Sequence, residues 1–511
     1  MLARGHSYAT VGLEAVPIEI EVDARLGLPS LSVVGLPDQA VKEARERVRS
    51  AILNSQFQLP QSRITVNLAP ADLKKEGGVF DLAIALGVLA ATHQLDPARL
   101  AEVILVGELA LDGSLRPVPG MLPIAMAARH SKRRTLLVPA ANAAEAAVVD
   151  RIQVVPVAHL RQAVECLAGT LELPSARSDL RQLARTVNRY DVDFADVKGQ
   201  ALAKRALEVA VAGGHHVLLI GPPGSGKSML AQRLPTILPD LALEEALQTT
   251  KIHSVMGLLS PQQPLLTQRP FRAPHHTSSA VALIGGGPNP RPGEVSLAHY
   301  GVLFLDELPE FHRDVLESLR QPLEDGTVCV ARAKRAVTFP ARFMLVAAMN
   351  PCPCGYLTDP HHACRCTPPK VQQYLAKISG PLLDRIDLHI EVPAVPFQTL
   401  TQAQADGEPS RAIKQRVLAA RRRQRKRLKP SGLFANSQMR QREIRKLCVL
   451  SDAAKDLLKT AMEELHFSAR AYDKILKVAR TIADLAASEA ILPDHIAEAI
   501  QYRSLDRQLW V

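Results

Sequence analysis

A glycine-rich stretch in the middle of the chain has the residue types and spacing of a phosphate-binding loop. It reads GPPGSGKS over positions 221–228, follows the apolar run Val217–Ile220, and leads into the helical run Met229–Leu234. Glycine lets backbone N–H groups point inward around phosphate, the lysine of this pattern reaches the β- and γ-phosphates, and the hydroxyl after it holds Mg²⁺. The pattern predicts a nucleotide site, and a plain glycine-rich turn is the alternative. Its residues are Gly221, Pro222, Pro223, Gly224, Ser225, Gly226, Lys227 and Ser228.

Polar residues at the ends of two later apolar runs would complete this site. Asp306 and Glu307 follow Val302–Leu305, which is typical of a buried parallel strand, and open α/β sheets bind ligands at the carboxyl ends of their strands. We predict that Asp306 joins the ligands of the metal and that Glu307 polarises the attacking water. Capping of the next helix is the alternative. Asn350 follows a third strand, Phe343–Ala347, where it would orient the water or contact the γ-phosphate, although asparagine before proline is also typical of a turn.

Four of the seven cysteines cluster in a short segment with the pattern C-x-C, nine residues, C-x-C. They are Cys352, Cys354, Cys364 and Cys366. Four soft ligands suit a tetrahedral Zn²⁺, which would brace the strand before Asn350; redox cysteines or free thiols are the alternative. His361 and His362 lie between the two cysteine pairs. For His275 and His276 we predict a loop or interface role, because no cysteine or acid lies near them in the sequence.

One segment carries most of the positive charge. The formal net charge is +11, but positions 411–446 hold fourteen Lys and Arg against one acid, Glu443, so the rest of the chain is close to neutral. A run without compensating acids repels itself unless a polyanion is near, and we predict that it binds a nucleic-acid backbone without sequence preference. A solvated helix face is the alternative. The predicted contacts are Arg421, Arg422, Arg423, Arg425, Lys426, Arg427 and Lys429.

Three blocks of different texture predict an α/β protein of about three domains. Residues 1–170 alternate short β-like and Ala-rich helical runs, among them a helix with an apolar stripe at Asp81–Thr92; residues 171–190 are a polar linker, residues 191–400 hold the apolar strands, and residues 401–511 are nearly all helical. The 47% hydrophobic and 22% charged content excludes a collagen, a mucin or a disulfide scaffold. Neither a run long enough to span a membrane nor a signal peptide is evident, so we predict a cytoplasmic protein without membrane contact.

Six motifs support a family assignment. They are GPPGSGKS (221–228), RPFRAPHH (269–276), GEVSLAH (293–299), FLDE (304–307), AAMN (347–350) and GPLLDRID (380–387). Together they resemble an AAA+ ATPase of the helix-2-insert branch, and more narrowly the YifB/ComM magnesium-chelatase-like family. The resemblance covers essentially the whole chain. It implies a homo-hexameric ring with ATP sites between subunits, in which Lys227, Ser228, Asp306, Glu307 and Asn350 act within one subunit.

The same resemblance assigns two arginines to the ATP site. Arg385 matches the arginine finger, which enters the site of a neighbouring subunit, and Arg470 matches the sensor-2 arginine of a helical lid formed by residues 401–511. The residues alone leave alternatives open. Arg385 stands between Asp384 and Asp387 and would there form a local ion pair, and Arg470 would be a solvated residue at a helix start.

The resemblance also implies two inserts that face the pore of the ring. One is the Gly/Pro-rich loop around Leu283–Glu294, which matches the helix-2 insert. The other is Val328–Phe339, which is predicted to form a hairpin with Arg332, Lys334 and Arg335 at its tip. Three cations there would suit a phosphate backbone, and a solvated turn is the alternative.

The N-terminal block resembles the Lon-protease-like fold, which is related to a domain of ribosomal protein S5. The matching stretches include Gly77–Leu89 and Leu115–Ala128. Proteases of the Lon type need a Ser–Lys dyad, in which an amine activates a weak hydroxyl nucleophile. Here Val79 falls at the position of the serine and Leu122 at that of the lysine. We predict no peptidase activity and a structural, assembly or DNA-contact role.

The function that the resemblance implies is an ATP-driven DNA motor. It would be a helicase, using ATP and Mg²⁺, that promotes branch migration on single-stranded and branched DNA in natural transformation (competence) and recombination. One alternative is a magnesium-chelatase-type motor subunit that acts on a metal-insertion partner. Another is a regulator or scaffold without catalytic activity, against which the complete ATP site argues.

Overall fold

The chain forms two compact units in a computed structural model. The residues that the structure describes are 1–179, 190–287, 289–332, 335–357, 359, 362–396, 407–465, 467–503 and 505. One unit comprises Met1–Thr186 and Ala242–Thr267, and the other comprises Val187–Leu241 and Gln268–Val511. A segment that follows the glycine-rich loop in sequence therefore belongs to the same unit as the N-terminal block. Residues 180–189 of the predicted linker lie outside the described residues.

The first unit is built on a mixed sheet. Its described strands are β1 (Leu2–Val11), β2 (Glu14–Leu26), β3 (Ser30–Val34), β4 (Ser62–Ala69), β5 (Val103–Leu105), β6 (Glu108–Leu109), β7 (Leu115–Arg116), β8 (Thr135–Pro139) and β9 (Gln153–Val157). Seven of them form one sheet in the order β3-β4-β2-β1-β5-β8-β9, and β6 pairs with β7 separately. β2 is antiparallel to both of its neighbours, whereas the other neighbouring pairs in the large sheet are parallel.

The second unit is built on a parallel sheet. Its described strands are β10 (Val217–Ile220), β11 (Phe271–Arg272), β12 (Gly285–Gly286), β13 (Arg291–Pro292), β14 (Val302–Leu305), β15 (Thr327–Arg332), β16 (Arg335–Pro340), β17 (Met344–Met349) and β18 (Leu388–Glu391). Five of them form the sheet β11-β14-β17-β10-β18, in which every neighbouring pair is parallel. The pairs β12–β13 and β15–β16 are separate antiparallel hairpins.

Helices cover both sheets. In chain order the described helices are α1 (Gln39–Asn54), α2 (Asp81–Ala91), α3 (Pro97–Ala101), α4 (Met121–Ala128), α5 (Ala143–Ala146), α6 (Leu160–Ala168), α7 (Ala201–Gly213), α8 (Lys227–Ile237), α9 (Leu243–Val255), α10 (Ala280–Ile284), α11 (Glu294–Leu297), α12 (Arg313–Ser318), α13 (Arg320–Asp325), α14 (Pro368–Leu375), α15 (Gly380–Leu383), α16 (Ser410–Leu428), α17 (Gln441–Leu447), α18 (Asp452–Glu464), α19 (Ala469–Leu485) and α20 (Pro493–Gln501). Helix α9 belongs to the first unit. No helix among these described residues is long and apolar enough to cross a membrane.

Helix α2 shows how tightly the first unit is packed. The sequence predicts a helix with an apolar stripe here; the helix is present and the stripe is buried, and so is every other residue of α2. β1, β2, α1 and α3 all pack against it, so both faces of the helix need apolar residues. Gly87 allows the closest approach, since a Cβ at this position would lie 2.6 Å from Cγ2 of Val22. Such a helix is continuous core rather than an amphipathic surface helix.

The predicted mixed α/β class is confirmed, and the parallel sheet contains the predicted strands. All residues of β10, β14 and β17 are buried, as expected for parallel strands that are covered on both faces. The C-terminal block, which is predicted to be nearly all helical, contains the helices α16 to α20. Their apolar faces join the core of the sheet, where Ile413 and Val417 of α16 belong to the same cluster as Leu219 of β10.

Candidate functional site

The glycine-rich loop lies where a parallel sheet binds ligands. It follows β10, which stands between β17 and β18, and it leads into the N terminus of α8. Gly224 and Gly226 have φ angles of +74° and +91°, which favour glycine. Gly221 is equally constrained, because a Cβ there would lie 2.1 Å from the carbonyl oxygen of Val392. A strand end, inward backbone and a helix N terminus together favour an anion at this place.

The ammonium group of Lys227 is held inside this loop. Its Nζ donates to the carbonyl oxygens of Gly221 at 2.7 Å and Pro222 at 2.8 Å, and to Oδ1 of Asn350 at 3.2 Å. Burial lowers the pKa of Lys227 to about 8, and the nearby charge of Asp306 opposes this shift. The lysine therefore stays largely protonated at neutral pH. The structure brings Lys227, Asn350 and Asp306 together, although they lie in three separate stretches of the sequence.

Ser228 and Asp306 meet directly. Oγ of Ser228 donates to Oδ2 of Asp306 at 2.6 Å, and the backbone N–H of Glu307 donates to Oδ1 at 3.0 Å. Because β14 runs parallel to β17 and β17 to β10, Asp306 emerges at the same edge of the sheet as the glycine-rich loop. A hydroxyl and a carboxylate beside a phosphate-binding loop are the hard oxygen donors that Mg²⁺ takes. These residues therefore fit a Mg²⁺ ion that binds with the nucleotide.

Glu307 has a partner that sequence reasoning missed. The residue adopts a left-handed conformation with φ +53°, which is rare outside glycine and occurs at functional sites. Its Oε2 lies 3.1 Å from Nδ1 of His276, whose ring packs edge-on against Phe311. The loop or interface role predicted for His275 and His276 rested on the lack of an acid near them in sequence. Folding supplies that acid, because the segment after β11 lies beside the segment after β14.

Gln200 is another neighbour of the loop that sequence reasoning missed. Its Nε2 donates to the carbonyl oxygen of Ser225 at 3.1 Å and to that of Pro393 at 2.7 Å. The residue caps the N terminus of α7 with φ +56°. Its amide thus ties the glycine-rich loop to the chain after β18. A single glutamine before a helix gives no signal in the sequence, because its partners are distant along the chain.

The two arginines assigned by resemblance form ion pairs within the chain. Arg385 pairs with Glu324 of α13, and its side chain is only 14% exposed. The alternative that Arg385 pairs with Asp384 or Asp387 is wrong, because α13 brings Glu324 to the guanidinium. Arg470 is 69% exposed, and its Nη1 lies 3.3 Å from Oδ2 of Asp384. Each of the two arginines is therefore held by an acid of its own chain.

The four clustered cysteines converge on one point. Sγ of Cys352 lies 3.4 Å from Sγ of Cys354 and 3.7 Å from Sγ of Cys364, and the latter two are 3.6 Å apart. With Cys366 included, all four sulfur atoms lie within 4.8 Å of one another. A tetrahedral ion with Zn–S bonds of about 2.3 Å separates its sulfurs by about 3.8 Å. The spacing therefore fits a single zinc ion.

The surroundings of these thiols differ. Backbone N–H groups, first that of Tyr356, lower the pKa of Cys354 to about 6, whereas burial raises the pKa of Cys352 to about 12. His362 lies beside Asp359, with 3.5 Å between its Nδ1 and Oδ1 of the carboxylate. His361 lies outside the described residues. Among the residues that the structure describes, the candidate ligands at this cluster are the four cysteines.

The basic run lies on α16, but part of it is used inside the protein. Nη2 of Arg421 donates to the carbonyl oxygen of Val211 at 3.0 Å, and Arg423 donates to that of Asp484 at 2.8 Å. Arg427 forms an ion pair with the buried carboxylate of Asp484 at 2.6 Å. The expectation that no acid compensates the run is therefore wrong at Arg427, because α19 places Asp484 against it.

The remaining cations of the run form one exposed face of α16. They are exposed and, within the described part of the chain, have neither an ion pair nor a side-chain hydrogen bond: Arg422, Arg425, Lys426 and Lys429. Their spacing of three, four and seven positions places them on the same side of the helix. Gln424 and Leu428 mark the opposite, buried side. We refer to these four side chains as the cationic face.

The two predicted inserts are present as hairpins. Val328–Phe339 lies within the antiparallel pair β15–β16, in which Arg332 is opposite Arg335. Lys334 lies outside the described residues, and only the backbone of Arg332 and Arg335 is described. The loop Leu283–Glu294 contains the pair β12–β13.

In the first unit, the positions of the Lon-type dyad belong to the core. Val79 packs against the main apolar cluster, and Leu122 is fully buried at the start of α4. The backbone N–H of Leu122 donates to Oε1 of Glu145 at 2.8 Å, and Ser254 of α9 donates to the same oxygen. Burial raises the pKa of Glu145. This place in the fold is a buried structural network that includes the segment Ala242–Thr267.

Three family models cover most of the chain. Residues 193–400 match magnesium chelatase, subunit ChlI, residues 20–142 match subunit ChlI of Mg-chelatase, and residues 407–503 match the C-terminal part of magnesium chelatase subunit ChlI. The matches thus include the nucleotide site, the cysteine cluster and α16 to α20.

Individual relatives are similar over nearly the full length. The uncharacterized protein YifB of Salmonella typhimurium is 47% identical over 510 residues, which cover 99% of this chain and 98% of the relative. The competence protein ComM of Haemophilus influenzae is 47% identical over 513 residues, with the same coverage. Lon protease 2 of Bacillus subtilis is 32% identical over 160 residues, or 26% of each chain. At this identity and coverage, the chain belongs to the YifB/ComM magnesium-chelatase-like family.

Proposed function

We propose that the protein is an AAA+ ATP hydrolase that uses Mg²⁺ and works as a motor on DNA. The observation that carries the hydrolase part is the convergence of Lys227, Ser228 and Asp306 at the carboxyl edge of the parallel sheet. Membership of a magnesium-chelatase-like family supports ATP as the nucleotide.

Each residue of the site has a part in the proposed reaction. Lys227 neutralises charge on the β- and γ-phosphates, and Ser228 and Asp306 hold the Mg²⁺ that screens them. Glu307 takes a proton from water as the water oxygen attacks the γ-phosphorus, the bond to the β–γ bridging oxygen breaks, and ADP leaves. Asn350, which already contacts Lys227, orients the γ-phosphate or the water.

We further propose a homo-hexameric ring in which Arg385 acts on the nucleotide of a neighbouring subunit and Arg470 acts from the C-terminal helices. A planar guanidinium that now pairs with a carboxylate is suited to pair with phosphate instead. Release of Arg385 from Glu324 would accompany assembly. Mutation of Arg385 to Ala should then abolish hydrolysis by the ring while each subunit still binds ATP.

The DNA part of the proposal rests on the cationic face of α16. Four cations without internal partners among the described residues match the repeating charges of a nucleic-acid backbone. The relative named competence protein ComM supports a role in competence. The activity that we propose for this role is branch migration on single-stranded and branched DNA. The β15–β16 hairpin, with its arginines, is the second proposed contact.

Strand displacement on forked DNA tests the motor. Wild-type protein with ATP and Mg²⁺ should separate the strands, whereas the Lys227→Ala and Glu307→Gln variants should not. Failure of the wild type to unwind, or equal unwinding by Lys227→Ala, would refute the proposal.

A motor subunit that acts on a metal-insertion partner is the second candidate, and the three chelatase family matches favour it. The two candidates differ in what stimulates ATP hydrolysis. DNA should stimulate a DNA motor, with a steep decrease as salt rises. Stimulation by a tetrapyrrole-binding partner without any effect of DNA would favour the chelatase function instead.

We also propose that Cys352, Cys354, Cys364 and Cys366 hold one structural Zn²⁺. Zinc in such a site supplies no catalysis but fixes a short segment of chain. Metal analysis of the purified full chain should find about one zinc per chain at this four-ligand site. A content far below one would contradict the assignment.

A further inference from the structure

Residues 350–366, which we call the cysteine segment, contain the four cysteines and follow directly after a strand end in the nucleotide site. The segment begins at the end of β17, where the carbonyl oxygen of Met349 accepts a hydrogen bond of 3.2 Å from the backbone N–H of Gly221. The next residue, Asn350, contacts Lys227, and Cys352 follows two positions later. The first metal ligand is therefore one residue removed from a side chain that touches the phosphate-binding lysine.

A second contact joins the segment to the loop itself. Gly355, which follows Cys354, has φ +86°, and a Cβ at this position would lie 2.5 Å from Cδ and 2.7 Å from Cγ of Pro223. The same Cβ would lie 3.8 Å from Cγ of Asn350. The backbone of the cysteine segment is thus pressed against the proline ring of the glycine-rich loop, and only glycine fits there.

A third contact comes from the far end of the segment. Cys366 is followed by the N-cap residue of α14, and Tyr374 near the end of that helix is buried. Burial raises the pKa of Tyr374, and the backbone of Asn350 opposes this shift, so the Tyr374 hydroxyl lies close to Asn350. The cysteine segment therefore begins at Asn350, and the helix that follows its last cysteine places Tyr374 beside the same residue.

We propose that a Zn²⁺ ion on the four thiolates sets the conformation of the nucleotide site. The ion would fix the positions of Gly355 and Asn350, which in turn hold Pro223 and Lys227 in place for phosphate. Closing a segment with a metal removes conformational freedom that would otherwise be lost on nucleotide binding. This inference rests on the zinc part of the proposed function and is independent of DNA.

Three variants of the full chain test the coupling. Cys364→Ser removes a ligand, Gly355→Ala leaves all four ligands in place but pushes against Pro223, and Cys166→Ser in the first unit is the matched control. For each, zinc per chain is measured by atomic emission, the Kd for a fluorescent ATP analogue with Mg²⁺ is measured by titration, and folding is checked by thermal melting.

The coupling predicts a distinct result for each variant. Cys364→Ser should lose zinc and bind nucleotide at least about tenfold more weakly, equivalent to about 1.4 kcal/mol. Gly355→Ala should keep zinc and lose affinity to a similar extent, and Cys166→Ser should keep both zinc and affinity. Treatment of the wild type with a zinc chelator should weaken nucleotide binding, and added Zn²⁺ should restore it.

Other results would overturn the inference. A folded Cys364→Ser chain that lacks zinc but binds nucleotide as the wild type does would show that the metal does not act on the site. If Cys364→Ser fails to fold, the Gly355→Ala variant decides. A zinc-loaded Gly355→Ala chain with an unchanged Kd for nucleotide would show that the contact between Gly355 and Pro223 does not couple the metal to the site. A wild-type chain that contains no zinc would also overturn the inference. None of these readouts depends on DNA unwinding, so a failed motor proposal gives a different pattern.

Discussion

The nucleotide site and the basic helix α16 are the two regions in which the sequence predicts contacts to phosphate. Their cations differ in how many partners they have within the folded chain. In the nucleotide site, Lys227 donates to the carbonyl oxygen of Gly221 within its own loop, and Ser228 donates to Asp306. On α16, the cationic face is exposed to solvent and can bind a partner, whereas Arg427 forms an ion pair with Asp484 within the protein. A loop pattern encloses its own ligand site, because neighbouring residues in sequence form it. A run of cations defines a helix but not which of its sides will face the solvent.

Replacement of Lys227 in the loop should give the largest effect that separates the two regions. Lys227→Ala should lower ATP hydrolysis by at least about 100-fold, because a charge placed for the transition state is lost. Affinity for single-stranded DNA in the absence of nucleotide should stay unchanged, because the cationic face is intact. Steady-state phosphate release and DNA titration measure the two effects. Hydrolysis at the wild-type rate would remove the basis for separating the two regions.

Replacement of two different arginines of α16 should change the free energy of unfolding by different amounts. Arg427→Ala should destabilise the chain by about 3 kcal/mol, near the low end for a broken buried pair because Arg480 and Asn436 still contact Asp484. Arg422→Ala on the cationic face should change stability by less than about 0.5 kcal/mol. Urea unfolding followed by circular dichroism measures both. Equal losses from the two variants would mean that α16 is not divided into an internal and an exposed side.

Removal of the cationic face should mainly affect DNA. The combined change of its four residues to Ala should lower the slope of log K against log salt by about 3, since each contact to single-stranded phosphate contributes about 0.7. ATP hydrolysis without DNA should not change. Fluorescence anisotropy with a labelled single strand between low and moderate salt gives the slope. An unaltered slope would assign DNA binding to another surface.

The smallest expected effect is a pH dependence at the nucleotide site. Because burial lowers the pKa of free Lys227 to about 8 and bound phosphate favours its protonated form, nucleotide affinity should fall as pH rises through 8. The fall should approach about tenfold per pH unit above that value. Lys227→Arg keeps its charge throughout this range and should show a flat profile if it still binds. A flat wild-type profile would place the Lys227 pKa well above 8.

Much of the nucleotide site followed from local patterns. The strands β10 and β14 were evident as short apolar runs, and Asp306 was evident at the end of one of them. Gln200 and His276 were not, because their partners Ser225 and Glu307 approach only when separate segments pack together. The burial of α2 on every side was not evident either, because it depends on the strands and helices that pack around it.

The sequence by itself determined the phosphate-binding loop, the parallel strands, the helical C-terminal block and the four cysteines at metal-ligand spacing. These features depend on residues that are close along the chain and on backbone geometry that such residues impose. Only the tertiary structure decided that Gly355 touches Pro223 and that Arg385 pairs with Glu324. It also decided that three of the seven cations in the basic run, Arg421, Arg423 and Arg427, bind inside the protein. The physical reason is that partners for buried charges and close backbone contacts are chosen by packing between distant segments, which no local pattern records.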